Sequence, residues 1–210
     1  ALTLAQETGD RRWHVYALAD IAGLYPHGVD AIEAEANLKA ALPLAEDIAS
    51  PEALSDVYRA YARYRLRRGA FAAALTHLEA ARPHIRPDTQ FSFQRNLGIT
   101  HWRLGSQAAA QAAFTACLDE AAKLLADTAE LYDPKYARGL ALAGLALITG
   151  DSTYIDDAHT AYQAGIDNCA ARGVLDDAIE DLDLLAGATH AGQVAPLRAL
   201  LTTARGDHPS

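Results

Sequence analysis

Residues 58–81 read YRAYARYRLRRGAFAAALTHLEAA, and residues 94–117 read QRNLGITHWRLGSQAAAQAAFTAC. With Gly69 laid on Gly105, a step of 36 residues, Tyr61 meets Leu97, Ala62 meets Gly98, Ala74 meets Ala110, Leu78 meets Phe114 and Ala81 meets Cys117. Small residues recur where two helices cross closely, and large apolar ones follow a turn or two away, at the three- and four-residue spacings of a helix face. A variant with a longer inter-helix loop appears on either side. Gly28 to Ala36 and Gly150 to Ala158 are each eight residues apart, where Gly69 to Ala74 and Gly105 to Ala110 are five. Four repeats of one helix pair result. A single pair cannot bury its own apolar face, so the repeats are expected to stack.

Working outward, Gly9-Asp10, Pro26-His27-Gly28, Ser50-Pro51, Arg68-Gly69, Arg86-Pro87-Asp88, Leu104-Gly105, Thr149-Gly150-Asp151 and Arg172-Gly173 punctuate the helical periodicity. Helices are expected near 11–24, 31–49, 52–67, 70–84, 89–103, 106–126, 128–148, 153–170, 174–186 and 193–204. Ser50 should cap the third with Pro51 in its first turn; Asp88 should cap the fifth and Asp151 the eighth. The expected organisation of 1–210 is a single array: the end of a preceding helix at 1–9, repeats at 11–49, 52–84, 89–126 and 128–170, two capping helices across 174–204 and a tail at 205–210.

Composition agrees with an all-α chain. Half of the residues are apolar and 21% are charged, which excludes wholesale disorder. Ala, the strongest helix former, is the commonest residue, and no stretch alternates apolar and polar for long enough to make a half-buried strand. The two cysteines, Cys117 and Cys169, are too few for a disulfide framework, which points to a reducing compartment. No charged-then-apolar leader and no long apolar run stands in the sequence, so the expectation is a cytoplasmic protein without a membrane segment. Ala1-Leu2-Thr3-Leu4-Ala5-Gln6-Glu7 reads as the last turns of a helix, and the chain contains no Met; a module excised from a longer protein is expected.

Tyr58, Tyr61-Ala62, Gly69-Ala70-Phe71, Ala74-Leu75, Leu78 and Ala81 resemble the pattern of the tetratricopeptide repeat family. Gln94, Leu97-Gly98, Gly105, Ala110, Phe114 and Cys117 follow it nearly as well, and Ala143, Gly150, Ala158 and Tyr162 follow it with an insertion. The resemblance covers about residues 1–170. It implies a superhelical solenoid of stacked antiparallel helix pairs that binds a partner on its concave face. The Ala-rich texture is also similar to repeats in large bacterial regulators, placed behind a signalling ATPase or beside a DNA-binding domain; this implies a sensor or scaffold in signal transduction, with other domains of a parent protein among its partners.

By that resemblance Asp56, Arg59, Arg63 and Arg67 match concave positions of the second repeat, and Ser92, Arg95, Ile99, Trp102 and Arg103 match those of the third. Residues 58–103 hold nine Arg against Glu79 and Asp88, a formal +7, while the remaining chain is −16 and the whole is −9. Such separation places a positive field on an acidic protein, and the planar arginine fork suits carboxylate or phosphate. Arg59, Arg63, Arg67, Arg95, Trp102 and Arg103 are therefore the expected partner-binding residues, for a protein, acidic peptide or anionic ligand. The competing readings are a solvated arginine face on a structural spacer or self-association module, and nucleic-acid binding with Trp102, Tyr61 and Tyr64 as stacking platforms; the net acidity argues against the latter. In the fourth repeat the matching positions, Ala137, Leu140, Gly144, Leu147 and Ile148, are apolar; either the groove has an apolar pocket there or, the favoured expectation, the carboxy-terminal helices fold over them. No phosphate loop, no Gly-x-Ser-x-Gly elbow and no His pair at helical spacing occurs, so no enzyme activity, cofactor or metal is expected.

Overall fold

Asp10, Asp30 and Ser50 determine where the first three helices begin. In the computed structural model, which describes residue 3, residues 7–25 and residues 28–207, the Asp10 carboxylate accepts from the Trp13 N–H at 3.1 Å, and Asp30 accepts from Ile32 and Glu33 at 2.8 Å each. The Ser50 hydroxyl accepts from Ala53 with Pro51 in the first turn, as expected. These acceptors satisfy N–H groups that have no partner inside a helix. Helices α1 (Arg11–Gly23), α2 (Ala31–Ile48), α3 (Pro51–Arg67), α4 (Phe71–Ala81), α5 (Gln90–Arg103), α6 (Gln107–Asp127), α7 (Tyr132–Thr149), α8 (Thr153–Asn168) and α9 (Arg172–Asp207) follow, and no strand occurs among the described residues. The protein is all-α, and no helix among the described residues is long and apolar enough to cross a membrane.

Several boundaries differ from expectation for identifiable reasons. Pro83 cannot continue α4, so 82–84 tightens into a 3-10 turn. Asp88 lies within a second 3-10 turn, Pro87–Thr89, and α5 starts after Thr89 without a side-chain cap. Ser152, not Asp151, occupies the cap position of α8 and makes no side-chain cap bond; Asp151, one residue earlier, accepts from the Thr153 N–H at 2.9 Å. Helix α7 starts at Tyr132 rather than near 128, which puts Pro134 in the first turn, where its missing N–H costs nothing. Helix α9 runs through 186 and resumes at 188, broken only at Gly187 (φ 54°, ψ −164°), a conformation essentially reserved for glycine. It continues through Asp207, so 205–207 are helical, while 208–210 of the expected tail lie outside the described residues. Of the expected helix at 1–9, Thr3, Glu7 and Thr8 are helical; residues 1, 2 and 4–6 lie outside the described residues.

The chain forms two compact units, Ala1–Pro87 and Asp88–Ser210. In the first, α1 pairs with α2 and α3 with α4, and α3 also touches both α1 and α2. Its core is lined at three- and four-residue steps by Ala34, Leu38, Ala41 and Ala45 of α2, facing Val15 and Leu18 of α1 and Val57 and Tyr61 of α3. The Tyr64 hydroxyl closes this core, its one proton shared between the Ala31 carbonyl (3.1 Å) and the Glu35 carboxylate (3.2 Å).

In the second unit the order repeats. Helix α5 pairs with α6 and α7 with α8, and α7 also touches α5 and α6. The Phe114 ring of α6 lies between two glycines: a Cβ on Gly98 of α5 or on Gly144 of α7 would stand 2.4 Å from it. The Tyr162 ring of α8 covers Gly139 of α7, where a Cβ would stand 2.8 Å away, and Tyr136 covers Gly165 at 3.0 Å. Helix α7 is buried almost throughout, because α9 packs on it as well as on α8 and α5. Asp183 pairs with Arg198 at 2.8 Å and Asp176 with Arg205 at 2.9 Å. That register makes 172–186 and 188–207 an antiparallel hairpin, with Leu175, Leu182, Leu185, Leu197 and Leu201 buried.

Replacing Gly98 or Gly144 with Ala would gain roughly 1 kcal/mol of helix propensity. Overpacking against Phe114 costs more, so each change is expected to lower stability by a net ~1–2 kcal/mol. Denaturant unfolding of the two variants checks this; an unchanged or raised midpoint would show that the aromatic–glycine contacts do not constrain the bundle.

Candidate functional site

Arg59, Arg63 and Arg67 follow each other at four-residue steps on α3, and each meets a different local environment. The Arg59 guanidinium reaches Asp56 at 3.4 Å. Arg63 is half-buried. Arg67 donates to the Gly23 carbonyl at 2.8 Å and also to the Tyr25 carbonyl. Those oxygens lie at and just beyond the end of α1, where carbonyls lack intrahelical partners and the helix dipole favours a cation. Arg67 is thus a capping group for a neighbouring helix. Two arginines outside the expected set serve the same unit: Arg65 pairs with Glu35 at 3.2 Å while lying 5.2 Å from the Tyr64 ring centre, and Arg68 hydrogen-bonds to Tyr25. Hydrogen bonds from Lys39 and Tyr64, with the charge of Arg65, hold the Glu35 carboxyl below its ordinary value.

On α5, Arg95 faces Asp181 of α9 at 3.4 Å, with the side chains 16% and 6% exposed. At such burial the pair is a structural commitment, because removing one partner of a buried ion pair is strongly destabilising. Further along α5, Trp102 Nε1 donates to the Leu185 carbonyl at 3.0 Å and an Arg103 terminal nitrogen donates to the Leu184 carbonyl at 2.6 Å. Both carbonyls precede the break at Gly187. Trp102 and Arg103 therefore do for 172–186 what Arg67 does for α1. Ile99, another matched concave position, is fully buried.

The same break opens a cleft of about 260 Å³ in the second unit. Trp102, Arg103, Gln107, Gly187, Thr189 and His190 are among the residues that line it. The Trp102 and His190 rings lie 5.3 Å apart and tilted by 51°, and His190 Nδ1 is 3.3 Å from the Gln193 amide oxygen. A Cβ on Gly187 would stand 3.2 Å from the Arg103 guanidinium, so glycine is needed there for contact as well as for φ. None of the described lining residues is acidic. Thus the structure brings Trp102 and Arg103 of the expected set into one concavity. It places Arg67 and Arg95 on protein groups, and it holds Arg59, Arg63 and Arg67 in the other compact unit. Gln107, Thr189 and His190 were not among the expected residues; the only sequence sign of them was Gly187, inside what reads as an ordinary linker.

Two of the three stacking platforms considered for nucleic acid are core residues. Tyr61 is 6% exposed and stacks on His77 at 4.6 Å with an interplanar angle of 17°, and Tyr64 is 3% exposed. Burial pushes the Cys117 thiol up to about 12, which keeps it a protonated core side chain. In comparison with known proteins, no family model, no curated protein and no solved structure matches this chain.

Truncating Arg95 to Ala removes the cation facing buried Asp181 and is expected to cost up to about 3–5 kcal/mol, whereas the joint change Arg95→Met with Asp181→Leu should be nearly neutral. Chemical denaturation of both variants decides; equal losses would assign the effect to packing alone. Burial first, and then the charge of Arg65, lowers the His77 pKa from its ordinary 6.5. Because the folded value is the lower one, the unfolded chain binds the proton more readily. The His77 contribution is complete above pH 6.5 and is lost as the pH falls from there through the folded value. Melting temperatures between pH 7.5 and 5 should fall less steeply for His77→Phe, which keeps a ring between α3 and α4; an identical slope would exclude His77 as the titrating group.

Proposed function

We propose that this chain is a helical-repeat interaction module of the tetratricopeptide kind, part of a larger regulatory protein, that binds an anionic ligand or an acidic segment of a partner. The neighbour order inside each compact unit supports the repeat reading, since α1–α2–α3 and α5–α6–α7 each place a first helix against both helices of the preceding pair. The binding reading rests on one observation: the cleft beside Trp102 and Arg103 combines an aromatic face, a guanidinium and polar side chains without a lining carboxylate. In a concavity, where protein replaces part of the surrounding water, a positive charge selects for anions more strongly than on a flat surface. Recognition is accordingly assigned to this cleft, and the full arginine row is not required for it.

Ala188 is exposed and lines the cleft, so Ala188→Trp fills it without entering the core. A ligand present at about a hundredfold over its Kd stabilises the folded state by roughly 2.7 kcal/mol, a melting shift of several degrees for a chain of this size. Thermal melts against acidic peptides, small organic anions and their neutral amide counterparts should show such shifts for the anions with the natural chain and not with Ala188→Trp. Equal shifts for both proteins, or for the neutral counterparts, would remove the cleft from the function.

A further inference from the structure

Resting on the reading of the cleft as a binding site, we infer that its ligand is a small aromatic carboxylate, with a single planar ring stacked along Trp102 and its acid group turned toward Arg103. Volume sets the first limit. At about 260 Å³ the concavity lies below the usual span of pockets for larger ligands, ~300–1,000 Å³. One ring with a short acidic substituent suits it better than an extended chain or a dinucleotide.

The walls set the second limit. Trp102 is fixed, because its indole N–H is committed to the Leu185 carbonyl; its ring therefore offers a rigid face at low entropic cost. His190 meets that ring at 5.3 Å with a tilt of 51°, so the two form one angled wall rather than a slot. A ligand ring stacks on the wall and does not insert between its members. Charge sets the third limit. Arg103 is anchored at 2.6 Å on the Leu184 carbonyl and lies beside Gly187, which holds its positive charge at the cleft. A carboxylate complements that charge. Gln107 and Thr189 add an amide and a hydroxyl at the rim, suited to a second polar substituent. A ring without the charge loses the Arg103 interaction, and a charge without the ring loses the wall.

Trp13→Phe leaves Trp102 as the sole indole, and Trp13 is 65% exposed, so the replacement does not disturb the core. Fluorescence of this variant of the whole 210-residue chain is titrated with benzoate, benzamide, acetate and inorganic phosphate. The expected result is saturable quenching by benzoate, with at least tenfold weaker binding of the other three. Equal binding of benzamide overturns the carboxylate requirement, and equal binding of acetate or phosphate overturns the ring. Arg103→Gln keeps a donor for Leu184 while removing the charge, and it should weaken benzoate at least tenfold. Should that variant unfold, Gln107→Leu, at an exposed rim position, is expected to weaken benzoate by a few-fold at unchanged melting temperature. Absence of benzoate binding to the natural cleft, alongside anion shifts abolished by Ala188→Trp, would reject the aromatic acid and leave the binding cleft standing. Absence of both would reject the two together.

Discussion

Close approach of helices through missing side chains is the constraint on which the second compact unit depends. The Phe114 ring fills space that exists only because Gly98 and Gly144 lack a Cβ, and Tyr162 does the same over Gly139. Each glycine weakens its own helix by roughly 1 kcal/mol relative to Ala. That cost is offset by burial of whole aromatic rings, each worth more than an aliphatic contact. Because α6 reaches α5 and α7 through one ring, the relative placement of three helices is coupled. The stripe of α5 that carries Arg95, Trp102 and Arg103 is set by the same contact, since Gly98 sits in its middle.

Helices brought this close create a second problem at their ends. The last carbonyls of a helix need donors, and water is not always at hand when another helix covers them. The protein answers with long side chains from a neighbouring helix: Arg67 for α1, and Trp102 with Arg103 for the segment before Gly187. Arginine suits the task because one guanidinium reaches several acceptors and its charge opposes the negative end of the dipole. The arginine excess of 58–103 is thereby largely consumed inside the protein, by carbonyls, by Glu35 and by Asp181.

This explains what could be read in the sequence and what could not. Helix positions were legible because Gly69, Gly105, Gly150 and the Asp and Ser caps act locally, over four or five residues. The recurrence of small and large residues was legible in the alignment of Ala62 with Gly98 and of Leu78 with Phe114, but which ring fills which glycine gap was not. The fate of the arginines was not legible. Whether Arg95 faces a ligand or Asp181 depends on a helix 86 residues later in the chain, and no local pattern reports a carbonyl as a partner. Pro134 is the local sequence sign of the later start of α7, since a proline just before a long apolar run marks a first turn.

Gly187 couples the helix-end problem to the cleft. Its φ of 54° ends one helical segment and lets the next begin at once, so 188–207 can return along 172–186 and complete the cover over α7. The break frees the Leu184 and Leu185 carbonyls, which draws in Arg103 and Trp102; these two then stand at the wall of the concavity that the break leaves. Structural need and recognition chemistry thus fall on the same two residues. A side chain anchored by a carbonyl has already lost its rotamer freedom, so a ligand meeting it bears little further entropic cost. The capping role and a binding role at Trp102 and Arg103 are therefore compatible, and the first prepares the second.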